Sequence, residues 1–172
     1  NPMRITNPQN TVEQLCSIFS DLEHENLYRL LTSKRRFIWV KRHLTPKELF
    51  AIKSAGIPGI NFHDDVKRIY PYSNLFAHAL GYTDVDGNGI AGIESYIHKN
   101  REQKPVMVSL DFRVQSVVHD ELTKAIDRYR ALGGVGIVLN VKNSEVISMV
   151  SLPDFNPNTV NKATDMQKFN RA

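Results

Sequence analysis

The sequence predicts an α+β fold in two parts, and three observations carry that expectation. Between residues 11 and 80, apolar side chains recur at short helical spacings, interleaved with alternating runs. From Phe112 onward one longer stripe, Val114, Val118, Leu122, Ala125, Ile126 and Tyr129, repeats at the spacing of a single helix face. Two β-rich runs, 135–141 and 145–150, then close around Lys142-Asn143-Ser144, which suits a hairpin with a short turn. The polar stretch Asn100-Arg101-Glu102-Gln103-Lys104 separates these two grammars, so the parts are placed at 1–105 and 106–172.

Composition permits a folded core and narrows the chemistry. With 172 residues, 41% hydrophobic and 23% charged, the chain lacks the low-hydrophobicity, high-charge signature of disorder. Its single Cys16 excludes an internal disulfide framework and a multi-cysteine zinc site. No apolar run approaches the roughly 18 to 20 residues that cross a bilayer, and Asn1-Pro2-Met3-Arg4 does not open a basic-then-apolar signal segment. The net charge of +4 is dispersed, whereas a nucleic-acid module normally gathers its charge into one patch.

Each element has its own sequence signal. Thr11 to Gln14 reads as a capping box, with Leu15, Ile18, Phe19 and Leu22 on the face of the helix that follows. Leu27, Leu30 and Leu31 suggest a second short helix. Arg35 to Arg42 alternates as a strand, Phe37 and Trp39 to one side, Ile38 and Val40 to the other. Thr45-Pro46-Lys47-Glu48 combines N-cap, N1 proline and returning glutamate, and Gly56 is expected to stop that helix. Ile57-Pro58-Gly59-Ile60 turns into a strand over 62–70 that ends at Pro71, and 75–80 reads as one or two helical turns before a glycine-rich loop over 84–92. In the second part, Val106 to Leu110 reads as a strand. Asp111 then caps a helix running to about Leu132, and Gly133 and Gly134 end it. The tail from Pro153 to Asn158 reads as loop.

Local motifs offer little chemistry. Asp84-Val85-Asp86-Gly87-Asn88-Gly89 opens like a calcium loop, but the twelfth position, which must supply a bidentate carboxylate, is Ser95. A glycine-rich turn is the simpler reading, and a calcium-binding module stays as its alternative. Lys34-Arg35-Arg36, Phe37, Trp39, Lys41 and Arg42 interleave basic and aromatic side chains without the glycines of an RNA-recognition strand. A solvated strand edge is the expected role there, and a basic nucleic-acid-binding module is the alternative from another class. The six histidines show no metal spacing, and there is no phosphate loop, nucleophile elbow or Cys-x-x-Cys.

Read as an ordered set, the turns and caps resemble the division-specific class B penicillin-binding proteins. The residues that carry the likeness in the first part are 35–42, Gly56-Ile57-Pro58-Gly59-Ile60, Arg68-Ile69-Tyr70-Pro71, His78-Ala79-Leu80-Gly81-Tyr82 and Gly89-Ile90-Ala91-Gly92-Ile93-Glu94. In the second they are Ser109-Leu110-Asp111-Phe112-Arg113-Val114-Gln115, the long helix, the hairpin, Phe155-Asn156-Pro157-Asn158 and Asn170-Arg171-Ala172. Two departures stand out. Between Glu94 and Val106 the chain is shorter than the family pattern, through a naturally short loop or residues missing near Asn100-Arg101. The arginine- and glycine-containing opening motif of the pedestal is absent.

The resemblance implies a mixed pedestal, or dimerisation, domain over 1–105, incomplete at its start. Over 106–172 it implies the N-terminal helix and β-hairpin of a transpeptidase domain. The parent would be an enzyme on the periplasmic face of the bacterial inner membrane, anchored by an N-terminal helix outside this sequence, that cross-links septal peptidoglycan through an acyl-serine and binds β-lactams. That chemistry needs Ser-x-x-Lys, Ser-x-Asn and Lys-Thr-Gly or Lys-Ser-Gly, and none occurs in these residues. The chain is therefore expected to be a non-catalytic piece, with no catalytic, cofactor or metal residues. Arg68, Pro71, Gly92 and Glu94 are expected to hold the pedestal motifs together, with Arg68 and Glu94 as a buried pair and ordinary solvated charges as the alternative. Expected partners are divisome membrane proteins through the pedestal, peptidoglycan and β-lactams for the full-length parent only, and no nucleic acid. Apolar surface on 135–150 makes a homodimer of the fragment an expectation as well. An elongation-type class B protein is the nearest alternative identity.

Overall fold

The computed structural model describes residues 1–101 and 104–172, and these form two compact units, Asn1–Lys67 and Arg68–Ala172. The fold is α+β: helices with one two-stranded antiparallel sheet.

The first unit is helical. Helix α1 (Pro8–Ile18) is capped by Asn7, whose side chain accepts the Asn10 N–H. Thr11, expected to be the cap, instead lies buried inside the first turn, because the Asn7-Pro8 pair supplies both an N-cap oxygen and an N1 proline upstream. Helix α2 spans His24–Leu31. Helix α3 (Pro46–Ala55) has the full capping box of Thr45 and Glu48, and Gly56 ends it in the left-handed conformation at φ 59°. Val12, Leu15, Phe19, Leu27, Leu31, Ile52 and Ile57 form the core, with Ile38, Val40, Leu44 and Ile60 packed around it.

The strands expected over 35–42 and 62–70 do not form. Both segments lack strand structure, and residues 34–41 and 61–69 make no backbone–backbone hydrogen bond among the described residues. Alternation marks a segment that can be a strand, but a strand exists only where a neighbour completes the ladder.

In the second unit, α4 (Ala77–Leu80) packs against α5 (Gly92–Asn100) and against strand β2 (Val146–Leu152). Helix α5 was not anticipated. It starts on a glycine and closes at Arg101, inside the polar stretch read as a boundary; Glu102 and Gln103 of that stretch lie outside the described residues. Helix α6 (Phe112–Tyr129) is capped by Asp111, whose carboxylate accepts the N–H groups of Arg113 and Val114. It ends at Tyr129, with Arg130 in the left-handed cap, three residues before the glycines expected to stop it. Val114, Val118, Leu122, Ala125 and Ile126 are half-buried, Gln115 beside them is fully buried, and Tyr129, at 72% exposed, lies off the covered face.

Strand β1 (Gly134–Leu139) pairs with β2 from Gly134↔Leu152 to Leu139↔Val146. Gly136 faces α6: a Cβ there would lie 2.7 Å from Val118 Cγ1, so glycine lets the helix seat on the sheet. The outward residues Val135, Ile137 and Leu139 stay exposed. Val106–Leu110, expected as a strand, runs along the outer edge of β2 with side-chain and terminal contacts only: Ser109 Oγ donates to Val146 O, and Asp111 N to Ile147 O. After β2 come a short 3₁₀ segment (Pro157–Lys162) and α7 (Asp165–Lys168), which opens on a capping box of Thr164 and Gln167. Compactness thus divides the chain at Lys67/Arg68, and residues 68–100 pack with the helix and hairpin that follow them.

Candidate functional site

The second unit is held together by a joint of side-chain amides. Asn158 pairs with the backbone of one residue, Tyr70: its Oδ1 accepts the Tyr70 N–H at 2.9 Å and its Nδ2 donates to the Tyr70 carbonyl at 2.9 Å. The Asn156 carbonyl oxygen Oδ1 accepts from both the backbone and the side-chain nitrogen of Asn158, which fixes the direction of the amide. A carboxamide carries one acceptor and a donor side by side, so it can stand in for the missing strand neighbour of an extended residue.

Gln115 does the same for β2 from within α6. It is fully buried, and its Oε1 accepts the Met149 N–H at 2.9 Å and the Ser148 hydroxyl at 2.8 Å. Its Nε2 donates to the carbonyls of Met149 at 2.9 Å and Leu75 at 2.7 Å. Every amide hydrogen and both oxygen lone pairs are engaged, and helix, strand edge and the 68–80 segment meet on this one side chain.

A third set of contacts surrounds Asp154. Its Oδ2 accepts from Asn74 Nδ2 at 2.8 Å and lies 3.0 Å from His119 Nε2. Nearby, His78 Nε2 sits 3.4 Å from the Pro153 carbonyl, to which only a ring N–H can donate. The His78 ring stands edge-on to Phe155 at 5.3 Å. Burial holds the His78 imidazole below its ordinary pKa, against the opposing pull of the Pro153 carbonyl and the Asp154 charge.

The residues singled out from sequence lie in the same unit. Arg68 Nε meets Glu94 Oε1 at 2.6 Å, but the pair is asymmetric: the Glu94 side chain is 8% exposed and that of Arg68 55%. The Tyr70 hydroxyl is buried near this carboxylate, and burial, then the Glu94 charge, push its pKa up. Gly92 has φ 57°, and a Cβ on it would lie 2.7 Å from the Ala79 carbonyl oxygen. Gly81, which the reading did not single out, is tighter still, with Ala91 O at 1.9 Å from a built Cβ. Pro71 lies exposed where the chain turns, the Ser73 N–H bonding back to Tyr70 O. Arg68 thus pairs with Glu94 of α5, the first residue of that helix, Gly92, lies against the Ala79–Gly81 backbone, and Pro71 is exposed in the turn after Tyr70. In the calcium-like loop, Asp84 Oδ1 accepts the N–H groups of Asp86 and Asn88 while Oδ2 accepts from Asn88 Nδ2, and these contacts, led by the Asn88 side chain, hold its pKa down.

Gln115 and Asn158 escaped the sequence reading as contact makers. Gln115 had a visible signal: it falls on the stripe of Val118 and Leu122, where a polar side chain must be buried and must find partners. Asn158 had none, since Tyr70 lies 88 residues away.

Comparison with known proteins gives this architecture its family. Residues 1–104 match the family model described as the penicillin-binding protein dimerisation domain. The chain is 39% identical over 135 residues to the probable peptidoglycan D,D-transpeptidase FtsI of Caulobacter vibrioides, covering 75% of this chain and 23% of that protein. It is 30% identical over 168 residues to the probable peptidoglycan D,D-transpeptidase PenA of Neisseria meningitidis (80% and 29%). The peptidoglycan D,D-transpeptidase FtsI of Escherichia coli is 29% identical over 154 residues (74% and 26%). The chain thus spans less than a third of the length of these relatives. A peptidoglycan synthetase from Bifidobacterium adolescentis superposes with a TM-score of 0.51 over 95% of this chain and 34% of that one; at 18% identity this is a likeness of fold. With well over half of its residues inside the family model, the chain belongs to the penicillin-binding protein dimerisation-domain family, alongside transpeptidases named FtsI and PenA.

Proposed function

We propose that these residues are the pedestal and the opening segment of the transpeptidase domain of a division-type class B penicillin-binding protein. In this reading the complete enzyme cross-links septal peptidoglycan and is acylated by β-lactams, and its Ser-x-x-Lys lies in polypeptide beyond these residues. The observation that carries it is the amide joint. From the stretch that resembles the start of a transpeptidase domain, Asn158 pairs with the backbone of Tyr70 inside a pedestal motif, and Gln115 donates to the carbonyl of Leu75 between two such motifs. Such a joint suits a part whose work is positional, holding a catalytic domain at a set place above the membrane. Among the described residues no helix is long and apolar enough to cross a bilayer, so the anchor of this proposal, on the periplasmic face of the inner membrane, is assigned to other polypeptide. Divisome membrane proteins are its proposed partners, met through the pedestal. Two experiments test the reading. A fluorescent penicillin should leave the chain without a covalent adduct, and labelling of these residues would overturn the assignment. Depleting the gene that carries this sequence should block septation and give filaments; rounded cells would instead mark an elongation-type enzyme.

A further inference from the structure

The first unit carries a surface that the amide joint does not use. Residues 36–44 and 59–65, joined through α3, flank a groove of about 440 Å³. Side chains meet across it. The rings of Phe37 and Trp39 stand edge-to-face at 5.0 Å, each 6.1 Å from His63. Farther along, Arg42 Nε and Nη2 each reach the Asp65 carboxylate at 3.1 Å. Residues 37 and 39 thus face 63 while 42 faces 65, so the two segments run in the same direction, as in a strand–helix–strand unit. Strands adjacent in a ladder lie about 4.8 Å apart and exchange hydrogen bonds. Here the side chains bridge and the backbones of 34–41 and 61–69 exchange none.

Charge distinguishes one end of the groove from the other. Lys41 is matched by Asp21 and Glu48, and Arg42 by Asp65. Lys34, Arg35 and Arg36 are exposed and make no ion pair among the described residues; Arg36 lines the groove, and Lys34 and Arg35 lead into it along the chain. Phe37 and Trp39, next in the chain, are each about half exposed.

We infer that this groove receives an extended segment of a partner protein by strand addition, with acidic residues at the end that meets Lys34, Arg35 and Arg36. A peptide backbone offers both donors and acceptors, which is what two unpaired β-rich segments lack, and alternate side chains would rest on Phe37 and Trp39. A nucleic acid fits less well: phosphates offer acceptors only, and Asp64 and Asp65 line the other wall. The inference rests on reading this unit as a pedestal that meets partners, and it gives that partner its chemistry.

Trp39 is the chain's sole tryptophan, so its fluorescence reports on the groove directly. The probe is a synthetic alternating valine–glutamate peptide, with valine–lysine and single-stranded oligonucleotide controls. The glutamate peptide should shift Trp39 emission to the blue, protect the amides of 37–41 from hydrogen exchange, and bind more weakly as salt rises. Arg35→Glu with Arg36→Glu, both at exposed sites, should weaken binding about tenfold or more. Absence of amide protection, an equal response to the lysine peptide, or a response to the oligonucleotide or to anionic vesicles would overturn the inference. So would protection that grows with protein concentration alone, which would assign the groove to a second copy, or protection already complete in the longer parent protein. None of these outcomes depends on penicillin labelling or the depletion phenotype, so each reading can fail by itself.

Discussion

Replacing Gln115 with leucine isolates the contribution of the amide joint. Leucine keeps most of the volume of the side chain and removes all four of its hydrogen bonds, leaving the carbonyls of Leu75 and Met149, the Met149 N–H and the Ser148 hydroxyl without their partner. At about 1 kcal/mol net for each bond, and more where a group is left dry, the loss should come to roughly 4 kcal/mol. Gln115→Glu sharpens the test, because an ionised carboxylate can accept from Met149 N–H and Ser148 but would face two carbonyl oxygens. The protonated acid can donate to one of them, so the folded state raises that pKa above its unfolded value near 4.3. Stability from this group is therefore fully present below about pH 4.3 and is lost as pH rises through the folded value. Amide exchange at Met149 and Tyr70 is the appropriate assay, since it reads this unit without assuming that both units melt together. A loss below about 1 kcal/mol in the leucine variant, with Met149 still protected, would refute the argument that Gln115 completes the edge of β2.

Two further outcomes follow from charge and burial. Because Glu94 is buried and Arg68 is half exposed, Arg68→Ala should cost more than Glu94→Gln: the first strands a carboxylate in the interior, about 2 to 3 kcal/mol, and the second leaves a cation that water can reach, about 1. Paired thermal melts check the order, and equal losses would mean the pair behaves as solvated charges. Burial depresses the His78 pKa, so the unfolded chain binds its proton first as pH falls. The His78 contribution is present above about pH 6.5 and is lost as pH drops from there through the folded value, with a slope of at most about 1.4 kcal/mol per pH unit. His78→Gln should flatten stability between pH 7 and 5, and an unchanged slope would remove His78 from that role.

What the sequence disclosed and what it concealed differ by the range of the interaction. Signals contained within four residues were legible: the Thr45–Glu48 box, Gly56 in its left-handed cap, Asp111 on the first turn of α6, the short turn between the strands. Segments 35–42 and 62–70 read as strands because their alternation is genuine, yet no pattern inside a segment reports whether a neighbour arrives. Helix α5 was hidden by its own content, since it opens on Gly92 where helices more often end. The Arg68–Glu94 contact came into view through family resemblance, as nothing local links residues 26 apart.

The amide joint explains why the matched family stretch and the compact unit end at different places. The family model runs to residue 104, while the second compact unit begins at Arg68. Residues 68–100 carry motifs of the first, but their backbone is completed by side chains of the second: Tyr70 by Asn158, Leu75 by Gln115, and Asn74 through Asp154. An apolar contact would tolerate sliding by a residue, and a charged one would fix distance with little say over direction. A carboxamide that grips the N–H and C=O of one residue admits a single register. For a part whose proposed work is to hold a catalytic domain in place, the choice of amides over leucines at positions 115 and 158 gives up some burial energy in exchange for defined geometry.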